Sequence, residues 1–168
     1  MRSLKPVEQQ VHEGAGYRLR HAEAGDLEVV LDHRRRLFIE MGHDPASTEA
    51  SIGTVRELFQ RSLGNGRYRG FFVEDDGKRI VAGGGVITHD FHVGPLDGVT
   101  TRSWIVNMYT EPDHRRRGLA RMIMTALLEL CRESGWAVVY LHASSDGRPL
   151  YEALGFKATN EMILKLQP

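Results

Sequence analysis

Apolar positions along the chain change period several times, and each change marks an element. Tyr17-Arg18-Leu19-Arg20 alternates and reads as a short strand. From about Gly25, the residues Leu27, Val30, Leu31, Leu37, Phe38 and Met41 follow helical spacing, and Gly42 ends the pattern. Ser47 or Thr48 is the expected cap of a second helix carrying Ile52, Val55, Leu58, Phe59 and Leu63, closed by Gly64-Asn65-Gly66. The period then shortens. Residues 68–74 read as a strand, Asp75-Asp76-Gly77-Lys78 as a hairpin turn, and 79–88 as a second strand. Gly83-Gly84-Gly85 inside that strand signals a bulge or a close approach by another group. After a Gly/Pro-containing loop over 89–100, residues 103–110 form a third strand, apolar at Trp104, Val106 and Met108.

The clearest helix follows. Leu119, Met122, Ile123, Ala126, Leu127 and Leu130 step by three and four, a one-sided stripe ending near Gly135. Residues 137–141 read as a strand, parallel to the previous one because a helix separates them. Ser144-Ser145-Asp146-Gly147 is a turn and cap cluster, and a short helix over 148–154 stops at Gly155. Phe156 and residues 161–166 read as final strands. The expected fold is α+β: a mixed, mostly antiparallel sheet flanked by helices, with one parallel pair around the long helix. It forms a single domain over 17–168, behind a loose polar extension over 1–16.

Composition narrows the function. At 168 residues, 41% hydrophobic and 26% charged, the chain suits one globular domain with a real core. Lys+Arg and Asp+Glu number 22 each, which argues against bulk electrostatic binding of nucleic acid. One cysteine, Cys131, allows neither an internal disulfide nor a cysteine-based zinc site. His89-x-x-His92 lacks a third ligand, so no metal is expected. The N-terminal residues hold no apolar core of a leader peptide, and no apolar run reaches the ~20 residues of a membrane span. The expectation is a cytoplasmic protein without membrane or nucleic-acid partners.

One stretch does not fit a plain surface: EPDHRRRGLARM, residues 111–122, places three arginines and a glycine at a helix start. The first N–H groups of a helix lack internal partners and sit at the positive end of its dipole, a site for phosphate. Gly118 lets a ligand approach the backbone, and Arg115, Arg116 and Arg117 add charge. Neither GxxxxGK[ST] nor GxGxxG is present. The stretch Arg115-x-x-Gly118-x-Ala120 resembles the R/Q-x-x-G-x-G/A signature of the GNAT superfamily of acyl-CoA-dependent N-acyltransferases. Val106-Asn107-Met108-Tyr109-Thr110-Glu111-Pro112 is similar to the strand leading into that signature. Leu150-Tyr151-Glu152-Ala153-Leu154-Gly155-Phe156 resembles the family's Y-x-x-x-G-F hallmark.

The resemblance implies acetyl-CoA as co-substrate and direct transfer of its acetyl group to a primary amine, on a small molecule or an amino terminus. It implies that the amides of Arg115, Arg116, Arg117, Gly118, Leu119, Ala120 and Arg121 hold the pyrophosphate. The backbone of Met108, Tyr109 and Thr110 would hydrogen-bond the pantetheine arm as an added strand. Ser145 stands where many relatives touch that arm. Tyr151 takes the role of acid beside the departing thiolate: a phenol of pKa ~10 can donate to a sulfur of pKa ~8.5. The base is expected among Glu111, Glu74, Asp90 and Glu161, between which the sequence does not choose, with His89 and His142 as further possibilities; Glu111 is carried as the catalytic candidate. On the acceptor side stand Arg34, Phe38, Asn107 and Glu161. Arg34, Arg35 and Arg36 read first as a helix coat and second as a site for an acidic substrate. Cys131, late on the amphipathic helix, is expected to be packed rather than to carry the acyl group. The tail strand is expected to be able to pair two subunits, and the late motif resembles a broad group of bacterial proteins. Two rival readings are a silent acyl-CoA sensor, which has no use for Tyr151 as acid, and a nucleic-acid binder, which the neutral charge disfavours.

Overall fold

The computed structural model describes residues 16–92 and 100–164. The extension over 1–15, the loop over 93–99 and the last four residues lie outside that range. Five strands form one sheet in sequence order: β1 (Tyr17–His21), β2 (Tyr68–Asp75), β3 (Ile80–Asp90), β4 (Thr101–Thr110) and β5 (Val139–Leu141). All neighbours are antiparallel except β4 and β5, which are parallel. Helices α1 (Leu27–Glu40) and α2 (Pro45–Gly64) connect β1 to β2, α3 (Leu119–Glu133) crosses from β4 to β5, and α4 (Arg148–Ala153) follows β5.

The sheet is buried on both faces, and its central strands are apolar on both. In β2, Phe71 and Val73 face the α3 side, whereas Phe72 faces α1 and α2. The α3 stripe of Leu119, Ile123, Leu127 and Leu130 packs into the first of these cores. Val30, Leu31, Ile52 and Phe59 fill the second. Gly135 ends α3 at φ 73°, with Trp136 N donating to Cys131 O at 3.0 Å, as a left-handed C-terminal glycine does.

Four expectations change. The cap of α2 is Asp44, whose carboxylate accepts from Ser47 N at 2.8 Å, with Pro45 opening the helix. The β2–β3 turn puts Lys78, not Gly77, in the left-handed region at φ 61°, because Asp75 accepts from Lys78 N and from Arg79 N. The expected strand over 137–141 shortens to Val139–Leu141. No strand forms at Phe156 or over 161–164. Met162, Ile163 and Leu164 are exposed, so the alternation that reads as a strand finds no neighbour to pair with.

The triple glycine of β3 answers to both expected causes. A Cβ on Gly83 would stand 2.6 Å from the Phe72 ring, one on Gly84 would strike the Met108 sulfur, and one on Gly85 the Tyr68 ring. The register between β3 and β4 also shifts between Gly83 and Gly85. The extra residue on β4 is Asn107, at φ 58°. It reverses the alternation. Val106 faces α1 and α2, while Met108, two residues on, faces Ile123 of α3. The expected shared face of Trp104, Val106 and Met108 does not exist.

Candidate active site

β4 and β5 pair only at Ser103–Val139, Trp104–Tyr140 and Ile105–Leu141. β5 ends there, and β4 continues to Thr110 with its β5-side edge unpaired. The backbone of Met108, Tyr109 and Thr110 thus lies along an open edge, available to a ligand that extends the sheet. Beyond it, Arg36 and Glu40 of α1 reach across to Glu111 and Arg115.

At the start of α3, the backbone N–H groups over 116–121 have no acceptor among the described residues. Bonding stops at Arg115 N, which donates to Pro112 O, and resumes at Met122 N, which donates to Gly118 O. Arg116 and Gly118 both have positive φ, 58° and 82°, and left-handed residues of this kind are what anion-binding backbone nests use. Space beside Gly118 is open, so its φ rather than crowding calls for glycine. The arginine side chains divide. Arg115 folds back, with Nε donating to Thr110 O at 3.0 Å and Nη2 to Glu40 at 2.5 Å. Arg117 donates to Tyr17 Oη and Asp113 O, both at 3.0 Å. His114 Nδ1 lies 2.8 Å from the same Tyr17 hydroxyl. Only Arg116 of the run has no side-chain partner among the described residues. The side chains of the run therefore shape the loop, and its backbone N–H groups are left without acceptors among the described residues.

Tyr151, on α4, is buried and packs edge-on to Phe156. Burial pushes its phenol above the usual tyrosine value, so it holds its proton at neutral pH. Its ring passes so close to Gly147 that a Cβ there would stand 2.8 Å from it. The turn into α4 is tied by Ser144, whose Oγ accepts from Gly147 N at 3.1 Å. Ser145 is exposed and reaches only Asp146, at 3.4 Å. Tyr151, His142 and Trp104 line one cavity of about 710 Å³ with Glu161 and the start of the tail.

On the opposite side of β4, Arg34 donates from Nη1 to Asn107 Oδ1 at 3.1 Å. Its guanidinium lies 4.4 Å from the Phe38 ring centre and 5.7 Å from that of Phe59. Asn107 is 5% exposed, and its Nδ2 has no partner. Three of the four acceptor-side residues, Arg34, Phe38 and Asn107, therefore meet, whereas Glu161 stands in the tail within 3.6 Å of Arg102. The helix coat holds for Arg35, paired with Glu49 and Asp32, and for the exposed Arg36, paired with Asp32 and Glu111, but not for Arg34.

Every carboxylate considered as base carries a guanidinium. Arg36 holds Glu111 at 2.8 and 3.1 Å, Arg18 and Arg20 hold Glu74 at 2.6 Å, and Arg67 holds Asp90 at 3.0 Å. Glu111 also opens into a separate hollow of about 530 Å³ beside Arg79 and Asp32, not into the Tyr151 cavity. Cys131 is buried and its thiol is pushed up to about 11, unsuited to carry an acyl group. No cluster of three metal-ligating side chains occurs among the described residues, and no helix there is long and apolar enough to cross a membrane. His33 has no signal in the sequence: a histidine within an arginine-rich helix reads as surface, yet it is buried against Phe72 and Tyr109.

A parallel pair whose pairing stops early, unpartnered amides at the crossover helix and a buried tyrosine after it occur together here, and comparison with known proteins identifies the family. The model of the acetyltransferase (GNAT) family matches residues 28–156, and the chain belongs to that family. It is similar to a GCN5-related N-acetyltransferase from Ralstonia eutropha, with 32% identity, TM-score 0.85, and coverage of 90% of this chain and 99% of that one. It is also similar to a predicted acetyltransferase from Clostridium acetobutylicum crystallised with acetyl-CoA, with 27% identity, TM-score 0.81, and coverage of 90% and 96%. Human N-acetyltransferase 8 is 25% identical over 97 residues, 54% of this chain; the match spans only 40% of that protein.

Proposed function

We propose that the protein transfers the acetyl group of acetyl-CoA to a primary amine, on a small molecule or an amino terminus, in one ternary complex. The observation that carries this is the coincidence of the open β4 edge with the unpartnered amides over 116–121. Those amides, with Leu119, Ala120 and Arg121 at the positive helix end, suit a pyrophosphate. The open edge of Met108, Tyr109 and Thr110 suits the amides of a pantetheine arm. When bound, acetyl-CoA supplies the activated thioester. Tyr151 donates its phenolic hydrogen toward the departing sulfur, the protonated state that burial favours. Ser145, exposed at the turn before α4, is the proposed contact farther along the arm.

An amine is mostly protonated at neutral pH and must lose a proton before it attacks. Glu111 accepts that proton in this reading only if Arg36 lets it go. His142 shares the Tyr151 cavity and has no ion pair among the described residues, so its placement favours it as the second candidate. A silent acyl-CoA sensor remains the rival, and the retained Tyr151 speaks against it.

The test is calorimetric titration with acetyl-CoA, followed by thiol release in the presence of amines. Micromolar binding that is lost in Gly118→Asp is expected, because a carboxylate there repels phosphate and strains a φ of 82°. Absence of binding by the unaltered protein overturns the cofactor reading. Binding without thiol release from any amine favours the sensor.

A further inference from the structure

Of the three consecutive arginines on α1, two have carboxylate partners: Arg35 with Glu49 and Asp32, Arg36 with Glu111 and Asp32. Arg34 has none among the described residues, although it is the one turned inward. Its Nη1 is engaged by Asn107. Its Nε is sealed from water without an acceptor, and Asn107 Nδ2 beside it is in the same condition. Its Nη2 has no partner among the described residues but is not sealed. Both sealed and unmet groups, Arg34 Nε and Asn107 Nδ2, are donors, and the neutral Tyr68 hydroxyl beside them carries no counter-charge. The donors cluster around a positive charge flanked by Phe38 and Phe59. Burial holds the guanidinium below its usual value without threatening its charge.

A cation in an apolar shell without a counter-charge is costly, and removing one partner of such a pair leaves the penalty in place. A half-buried cation beside unmet donors, with no carboxylate partner among the described residues, favours an acceptor carrying negative charge. Nη2, the guanidinium nitrogen left unpaired and unsealed, is the donor that a carboxylate oxygen can reach. The guanidinium stands next to Asn107, the bulge residue on the strand whose open side is proposed to hold pantetheine.

We propose that Arg34 receives the carboxylate of the acyl acceptor, so that the substrates are small primary amines that also carry a carboxylate, of amino-acid type. This rests on the acetyl-transfer reading above and narrows it. Asn107 positions the guanidinium through its Oδ1, and the Phe38 ring covers its face. Arg35 and Arg36 play no part in recognition, because their charges are already met.

The experiment measures kcat/KM with acetyl-CoA for matched sets: an amino acid, its primary amide and its phosphonate analogue. Wild type, Arg34→Met and Arg34→Lys are compared, with acetyl-CoA affinity and Tm as evidence of folding. Wild type is expected to prefer the acid over the amide by at least about tenfold, since a site built for a polar group rejects the analogue lacking it. Arg34→Met is expected to collapse that ratio toward one through a raised KM for the acid, and Arg34→Lys to keep part of it. A wild-type ratio near one, a ratio unchanged in Arg34→Met, or a preference for the phosphonate overturns the carboxylate assignment. If Arg34→Met does not fold, the wild-type ratio and Arg34→Lys decide. Acetyl-CoA binding without turnover on any amine overturns the transfer reading, and this one with it. Turnover without discrimination overturns this one alone.

Discussion

At the scale of single residues, burial decides protonation. Tyr151 has its pKa raised by desolvation and keeps its hydrogen across neutral pH. Tyr151→Phe removes the donor and little volume. It should lower kcat about a hundredfold while acetyl-CoA affinity changes little, as calorimetry beside thiol-release kinetics will show. Equal losses in both would make Tyr151 a packing residue. His33 behaves oppositely. Buried against Phe72 and Tyr109, its imidazole is pushed down to about 4, chiefly by desolvation, with Asp32 opposing and Arg36 adding to the shift. Its folded value lies below its unfolded value of 6.5, so the unfolded chain binds the extra proton between those pH values. Its stabilisation is whole above pH 6.5 and fades as pH falls toward 4, a change on the order of 3 kcal/mol. Tm measured from pH 7 to pH 4 should therefore fall more steeply in wild type than in His33→Gln. Parallel curves would assign the acid sensitivity to the carboxylates instead.

At the scale of elements, α1 is the organiser of the site. Along its inner side His33, Arg34, Arg36 and Glu40 reach Tyr109, Asn107, Glu111 and Arg115, so one helix fixes the end of β4 and the loop into α3. Glu111 and Arg36 should accordingly couple in stability. In a double-mutant cycle with Glu111→Gln and Arg36→Gln, the interaction is expected at about 0.5–1 kcal/mol, since one partner is half exposed. Loss of the acid limb of the pH–rate profile in Glu111→Gln would make Glu111 the base, and its persistence would pass that role to His142. Much of this level could be read from residues alone. The stripe of α3, the glycine stops at Gly135 and Gly155, and the strand–loop–helix around Gly118 each depend on short-range periodicity or backbone freedom, which sequence displays. What could not be read depends on partners. Trp104, Val106 and Met108 alternate as in an unbroken strand, and only the register against the β3 glycines forces Asn107 into a bulge. Arg34, Arg35 and Arg36 are one charge run in sequence, and only the helix's seat on β4 turns Arg34 inward. The tail alternates like a strand, yet over its described residues, 161–164, no neighbour pairs with it.

At the scale of the whole molecule, the sheet is complete without a ligand only up to Ile105 on the β5 side. The six-residue run of amides over 116–121 is likewise unmet. Both gaps lie at the same end of the β4–α3–β5 crossover, so one extended cofactor can fill both at once. Binding that is confined to the folded state must then stabilise the protein by linkage. At a hundredfold excess over Kd the gain is about 2.7 kcal/mol, and for a chain of this size each kcal/mol raises Tm by roughly 2–4 °C. A rise of about 5–10 °C with saturating acetyl-CoA is expected. Hydrogen exchange should locate the cause, slowing at the amides over 116–121 and over 106–110 together. The core strands β2 and β3, already paired on both sides, should respond only through the overall gain in stability. In Gly118→Asp both the Tm rise and the local slowing should vanish. Slowing confined to 116–121 would mean that the protein holds a phosphate without drawing the rest of the cofactor along β4, and would leave no route for a thioester to reach Tyr151.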